Sequence, residues 1–351
     1  MFDVKEFLLS GTLMMIQGRW LLVGAGPRTW LEVPEKSSQP IFYFPDFFLQ
    51  DKSPWFQHEK TFKMTLQELY EILEKEKQSL QAPEWIAPSR EHYEWGFATL
   101  QGLIQSGELQ KGVPYEFENS YSLMVETRLR NSLASLLRFA MDRRILPYGF
   151  WDESEGILGA SPELLFCIEG TAPPKLKTMA CAGTMGHHES RENFLKDPKE
   201  LEEHRCVVEG ITKSVKPFGK VMCGQIELLD LGKLVHLVTP IEMELAETPD
   251  YPALIAALHP TPALGTFPKE EGRLWLSEYE KRVPRKRYGA PVGVIHDDES
   301  SFYVGIRNVQ WDANGMALGA GGGVNRQSVL EREWDEVHSK LGAIKEVLSL
   351  G

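Results

Sequence analysis

The sequence predicts a mixed α and β fold, and three observations lead to it. Short β-branched and aromatic runs bounded by Gly and Pro recur along the chain, amphipathic helical stripes stand between them, and residues 300–351 join both patterns in one unit. The 351 residues can bury a sizeable core as one large domain or two ordinary ones. A net charge of −12 argues against general affinity for nucleic acid, while leaving room for a local basic pocket that takes an acidic metabolite. Cys167, Cys181, Cys206 and Cys223 stand far apart, with no CxxC and no His-rich partner segment. Neither a zinc site nor a redox motif is written there, and a reducing compartment is the default.

At the N-terminus Asp3, Lys5 and Glu6 precede a short apolar run broken by Ser10 and Gly11. This fits neither a signal peptide nor a membrane-spanning helix, so a cytoplasmic protein without membrane association is expected. Residues 13–16, 20–23 and 41–44 read as strands. Val23-Gly24-Ala25-Gly26-Pro27 superficially looks like a dinucleotide loop, but Thr29 stands at the third glycine's place and Pro27 has to begin the helix, so it reads as a plain turn. Residues 65–77 form a short amphipathic helix, and the polar, Pro-containing 78–90 form a linker or long surface connection.

Tyr93, Phe97, Leu100 and Ile104 mark the next helix, with Gly107 as its stop. In the strand that follows, alternation puts Lys111 on the face of Leu109, Val113 and Tyr115. Either its ammonium snorkels out at an edge strand, as Pro114 hints, or it is a desolvated amine of lowered pKa that can act as a base. Residues 130–141 form an amphipathic helix, and 145–151 and 164–168 read as strands, with Gly159-Ala160-Ser161-Pro162-Glu163 entering the second. Glu163 is either a solvated strand-end residue or a partly buried acid of raised pKa.

A strand at 175–182 ends at Gly183-Thr184, and 187–196 read as a loop or short helix. Asp197-Pro198-Lys199-Glu200 then opens a helix, with an N-cap acid, Pro in the first turn and Glu at the third position. On its apolar face His204 reads as a satisfied core histidine, whereas Glu203 shares a neighbouring stripe with Val207 and Gly210 and has no other charge beneath it. Strands at 221–229 and 234–240 and a helix at 251–258 follow. The connection His259-Pro260-Thr261-Pro262-Ala263-Leu264-Gly265 is stiffened by two prolines beyond what loop closure needs. Residues 272–282 are helical, and 288–294 return to a strand.

In the C-terminal unit, Phe302, Val304, Ile306 and Val309 belong to a strand run carrying Arg307, and Asp312-Ala313-Asn314-Gly315 supplies a hairpin turn. Met316, Ala317 and Leu318 lead into the glycine-rich loop 319–324, whose bare backbone N–H groups suit an anion. Ser328 with Glu331 forms a capping box, and Trp334, Val337, Leu341, Ile344 and Leu348 stripe the last helix. Glu333, Glu336 and Lys340 flank that stripe one turn apart. As a solvated face they are unremarked. Beside an anion cradle, two carboxylates point instead to a divalent cation between protein and a carboxylate-bearing ligand.

Taken together, Ser161-Pro162-Glu163-Leu164, Ala182-Gly183-Thr184, Glu203-His204, His259-Pro260-Thr261-Pro262-Ala263, Tyr288 with Val292-Gly293, Ile306-Arg307, Gly321 to Gly323, and Glu333-Trp334 with Glu336 and Lys340 resemble the chorismate-utilising enzymes. That family includes anthranilate synthase component I, aminodeoxychorismate synthase, isochorismate synthase and salicylate synthase. The motifs keep the family's order from about residue 108 onward. The resemblance implies an α+β fold of two large, mainly antiparallel sheets packed together with helices outside. It also implies one chorismate-binding domain over 1–351, with 1–90 its weakly matched part and 91–351 bearing the motifs.

Lys111 matches the lysine that activates water in isochorismate and salicylate synthases, Ala182 replaces the ring-attacking lysine of aminodeoxychorismate synthases, and residues 259–263 are similar to isochorismate synthases. The resemblance therefore implies an isochorismate synthase, feeding menaquinone or a catecholate siderophore, as a monomer with no amidotransferase subunit. Its nearest rivals are a salicylate synthase and a silent dicarboxylate- or metal-binding protein. By the same resemblance Mg2+ is held by Glu203 and Glu336, with Glu333 acting through water. Tyr288 and Arg307 grip the enolpyruvyl carboxylate with Gly321, Gly322, Gly323 and Lys340 assisting, and further substrate contacts fall at Ala182, Gly183, Thr184, His259, Thr261, Ala263 and Leu264. Lys111 is the base and Glu163 the acid. Met185-Gly186-His187-His188 and Asn325 depart from the family pattern.

Overall fold

A computed structural model of the chain describes residues 2–34, 37–170, 173–187, 190–232 and 234–351. Strands and amphipathic helices alternate in it as an α+β fold. A sixteen-stranded sheet dominates. Its path runs through Gly219–Cys223, Leu234–Leu245, Lys175–Gly186, Leu164–Glu169, Glu299–Val304, Pro291–His296, Ile41–Tyr43 and Trp55–Thr65. It continues through Trp20–Leu31, Gly11–Met15, Leu146–Trp151, Gly156–Ser161, Asn308–Asp312, Gly315–Gly321 and Tyr115–Ser120. Glu227–Asp230 pairs beside Leu234–Leu245, and Lys111–Gly112 forms a separate ribbon with Thr266–Phe267.

The path doubles over on itself. Glu299–Val304 and Gly11–Met15 stand five strands apart along it, which is roughly 24 Å at the spacing of neighbouring strands. Yet the Tyr303 hydroxyl donates to the Met15 carbonyl, and Tyr148 donates across to Ile306 O at 2.9 Å. Between the two layers lies a seam of fully buried rings, among them Phe42, Phe56, Tyr148 and Phe150. The two packed antiparallel sheets that the resemblance implies are thus two halves of one hydrogen-bonded path, continuous through Ile41–Tyr43, Trp55–Thr65, Trp20–Leu31 and Gly11–Met15. Helices cover the outside. Leu66–Glu74, Glu126–Met141 and Leu330–Val347 bury their stripes on one half, Pro198–Val215 and Tyr251–Leu258 on the other. The stripe Trp334, Val337, Leu341, Ile344 and Leu348 is buried throughout.

Local chemistry explains where the sequence reading and the structure part. Val23–Pro27 is no turn but a bulge inside the strand Trp20–Leu31, where the register against Trp55–Thr65 shifts between Ala25 and Arg28 and Gly26 takes φ 83°. The strand Lys175–Gly186 does not end at Gly183-Thr184; it bulges there, with Gly183 at φ 81°, and runs on to Gly186. Gly319, Ala320 and Gly321 are paired strand rather than loop, opposite Phe117, Glu116 and Tyr115. No capping box forms at Ser328: the last helix starts at Leu330 with Val329 as N-cap, Glu331 turns outward to Arg90, and Ser328 Oγ instead accepts from Asn325 N at 3.1 Å. The strands Trp55–Thr65, Tyr115–Ser120 and Gly156–Ser161 carry too many polar, aromatic or glycine residues to show a clean period and went unread.

Candidate active site

Two helices and the folded sheet bring many of the sequence-predicted residues around one small cavity of about 60 Å³, while Lys111, Gly183, His259, Thr261, Gly322, Glu333 and Glu336 lie outside its wall. Its wall includes Glu163, Ala182, Thr184, Ala263, Leu264, Tyr288, Arg307, Gly321, Gly323, Lys340 and Glu203. The cavity is far smaller than a typical ligand pocket of roughly 300–1,000 Å³. The site is drawn closed on itself.

Lys111 does not snorkel. It is fully buried behind Gly323, with Nζ donating to Pro262 O at 2.6 Å and 3.5 Å from Glu203 Oε1. Gly323 is required here, since a Cβ at that position meets Glu203 Oε1 and, at 2.8 Å, Lys111 Cε. One residue before Pro262, Thr261 Oγ1 donates to Glu163 Oε1 at 3.3 Å. Burial lifts the Glu163 carboxyl to about 7, against the pull of Lys111, Thr261 and Lys340. The 259–265 segment therefore holds the lysine and the glutamate from adjacent residues. It also corrects one placement: His259 faces away from the cavity, its Nε2–H donating to Phe47 O at 2.6 Å, and burial keeps it neutral with a pKa near 3.

Arg307 is prepared for an anion. Its φ is 57°, and Nη2 donates to His236 Nε2 at 3.1 Å. His236 Nδ1 in turn donates to Gly183 O at 3.2 Å, which fixes the neutral tautomer; burial and then Arg307 depress its pKa to about 3. Tyr288 stands nearby, backed by Arg285, whose fully buried guanidinium stacks 3.7 Å from the Phe47 ring centroid and 3.9 Å from that of Tyr115. Lys340 closes this end, donating to Gly321 O at 2.7 Å. His204 is a satisfied core histidine, bonded to Ala182 O and Thr239 Oγ1.

The carboxylates form a second layer. Glu200 and Glu203 lie on Pro198–Val215, Glu333 and Glu336 on Leu330–Val347, each pair one turn apart. Lys199 Nζ lies 3.0 Å from Glu200 Oε1, 3.3 Å from Glu203 Oε2 and 3.1 Å from Glu333 Oε1, while Lys340 holds Glu336 at 2.5 Å. Burial raises the carboxyls of Glu200 and Glu333 above their ordinary range; Glu336 also feels burial, but Lys340 and Lys199 outweigh it and hold it near 2. The groups face ammonium groups, and among the described residues no three possible ligands converge on one point. The donor set nonetheless fits a hard divalent cation: every side chain is a carboxylate, and Glu333 Oε2 is buried with no hydrogen-bond partner. Glu333 and Glu336 line an adjoining outer cavity of about 570 Å³, and Gly322 packs toward Glu333.

Sequence reasoning missed Glu200, Lys199, His236 and Cys181, all at the site. Glu200 was absorbed into a helix-start pattern. In the structure Asp197 caps Lys199 N and Glu200 N, and the Glu200 carboxylate leaves the helix to accept from Thr184 N at 2.8 Å. Its three-residue spacing from Glu203, repeated in Glu333 and Glu336, was the signal available. Of the two departures from the family pattern, Met185 is core, packed with Phe194, Val235 and Leu237, and His188 lies outside the described residues. Asn325 is fully buried and donates to Lys199 O at 2.9 Å.

A family model described as chorismate binding enzyme matches residues 47–349. The chain is 32% identical over 206 residues to the salicylate biosynthesis isochorismate synthase of Pseudomonas aeruginosa, covering 55% of this chain and 42% of that protein. It is 29% identical over 272 residues to the isochorismate synthase MenF of Pasteurella multocida, covering 73% and 61%. The chain thus spans about half the length of the curated relatives it matches. Among solved structures, the menaquinone-specific isochorismate synthase MenF of Escherichia coli superposes with a TM-score of 0.80 at 20% identity, over 99% of this chain and 91% of the other. Anthranilate synthase component I of Streptococcus pneumoniae gives 0.73 at 15% identity, over 94% and 92%. At these identities the structural likeness speaks for the fold. No helix among the described residues is long and apolar enough to cross a membrane.

Proposed function

The chain belongs to the chorismate binding enzyme family, and we propose from that premise that it is an isochorismate synthase working on chorismate with Mg2+. The observation that carries the reading is the pairing of Lys111 and Glu163 through neighbouring residues of one segment, Pro262 and Thr261. In the proposed reaction water bonds to ring C2 while the C4 hydroxyl leaves, so one water is consumed and one released. Lys111 takes the proton of the attacking water. Glu163 delivers a proton to the departing hydroxyl, a role that fits a carboxyl lifted to about 7. Each such group typically contributes about 10²–10⁴-fold.

Arg307, held in place by His236, and Tyr288 receive the enolpyruvyl carboxylate, with Lys340 adjacent. Glu200, Glu203, Glu333 and Glu336 would hold the cation, with Glu203 and Glu336 its main carboxylates. When bound there, Mg2+ supplies positive charge against the ring carboxylate of the substrate. Wall residues Ala182, Thr184, Ala263 and Leu264 shape the space around the ring.

The test is product analysis. Purified protein with Mg2+ and without ammonia or a partner subunit is expected to convert chorismate to isochorismate. Salicylate with pyruvate moves the assignment to a salicylate synthase, and no conversion favours a ligand-binding protein on this fold.

A further inference from the structure

We propose that Lys199 is a resident internal cation of the carboxylate cluster, which a divalent cation entering from the outer cavity has to displace. The inference rests on the assignment of Mg2+ to that cluster and goes beyond it, because it names what holds the cluster when the metal is away. The Lys199 ammonium reaches Glu200, Glu203 and Glu333 at 3.0, 3.3 and 3.1 Å, so one positive charge stands at ion-pair distance from three carboxylates on two helices and donates a hydrogen bond to Glu203. Without such a charge these buried acids repel one another across the helix pair. With it, the two helices are tied together before any metal arrives.

The same oxygens cannot serve both cations. Mg2+ takes its oxygen ligands at roughly 2.0–2.1 Å, and an ammonium beside it sharing those ligands is repelled at short range. Exchange is therefore the economical route, and the structure gives the lysine somewhere to go. Its backbone is anchored: Asn325 Nδ2 donates to Lys199 O at 2.9 Å, and Gln101 Nε2 donates to Asn325 O at 2.8 Å. Its flexible stem is not. Lys199, Glu200, Glu333 and Glu336 border the outer cavity of about 570 Å³, which Asp197 and Asp335 also line and which offers a displaced ammonium new partners. The cluster consequently binds the divalent cation more weakly than its four carboxylates alone would.

The measurement is Mg2+ affinity of the metal-stripped full chain by calorimetry, with the Mg2+-induced rise in Tm as a second readout. Lys199→Met and Lys199→Gln are expected to bind Mg2+ at least tenfold more tightly than wild type and to show a larger rise in Tm. Lys196→Met, which removes an exposed lysine paired with Glu192, is expected to change neither. Two lysine-199 variants are used so that a failure of one to fold, read by circular dichroism of the Mg2+-loaded protein, leaves the other to decide. Wild type binding Mg2+ with the folded variants binding no tighter overturns the role of Lys199 alone. Absence of Mg2+ binding in wild type and variants alike overturns the metal assignment and this proposal with it.

Discussion

Glu163 shows how one residue's environment sets both chemistry and stability. Its folded pKa of about 7 lies above the ordinary 4.5, chiefly through burial. The stability compatible with this site is therefore fully present below about pH 4.5 and is lost as pH rises through 7. Glu163→Gln is expected to be more stable than wild type at pH 8 by roughly 2–3 kcal/mol and no more stable at pH 4, while turnover is nearly abolished. Denaturant titrations at the two pH values check the first part, and a near-normal rate in the variant removes the acid from the mechanism. Lys111→Ala is expected to lose turnover similarly with Mg2+ binding largely kept, read by product formation and calorimetry. Gly323→Ala drives a methyl group between Glu203 and Lys111, and at least a tenfold loss of chorismate turnover is expected in a folded protein. Strand alternation pointed Lys111 inward, but only contacts from distant segments show that it and Glu163 are held by the same short connection.

At the scale of elements, the bulge at Gly183 is what aims Thr184 at the cavity and its N–H at Glu200. A side chain there takes a left-handed conformation, with a Cβ 3.2 Å from both Glu200 O and Leu237 Cδ1. Gly183→Ala is expected to cost about 1–2 kcal/mol and to raise KM for chorismate; thermal denaturation and steady-state rates check it. The helices with capping or Pro signals, Pro198–Val215 and Tyr251–Leu258, begin where their sequences say they should. Local pattern misleads where a residue's side chain serves something outside its own element. Glu200 looked like a cap and serves Thr184 and Lys199. Ser328 and Glu331 looked like a box, yet Glu331 pairs with Arg90, from far earlier in the chain.

In the whole molecule, the first ninety residues are built into the sheet. Gly11–Met15, Trp20–Leu31, Ile41–Tyr43 and Trp55–Thr65 lie in the middle of its path, between Pro291–His296 and Leu146–Trp151. Residues 91–351 alone, although they carry every motif, are expected to lack a cooperative thermal transition, as calorimetry of that fragment checks. The loss follows from two exposed strand edges and an opened aromatic seam.

By itself the sequence determined the mixed strand and helix character and the order of the motifs, while Glu200 and Lys199 passed for parts of a helix start. The first follows from local periodicity and turn chemistry, which are properties of neighbours along the chain, and the second is legible as a resemblance to the chorismate-utilising enzymes. Only the tertiary structure decided that one strand path folds into two facing layers, that His259 turns away while His236 orients Arg307, and that Lys199 stands among the carboxylates of two helices. Those outcomes depend on pairs far apart in the chain, from His236 with Arg307, 71 residues apart, to His259 with Phe47, 212 apart, and no local pattern carries the distance between them.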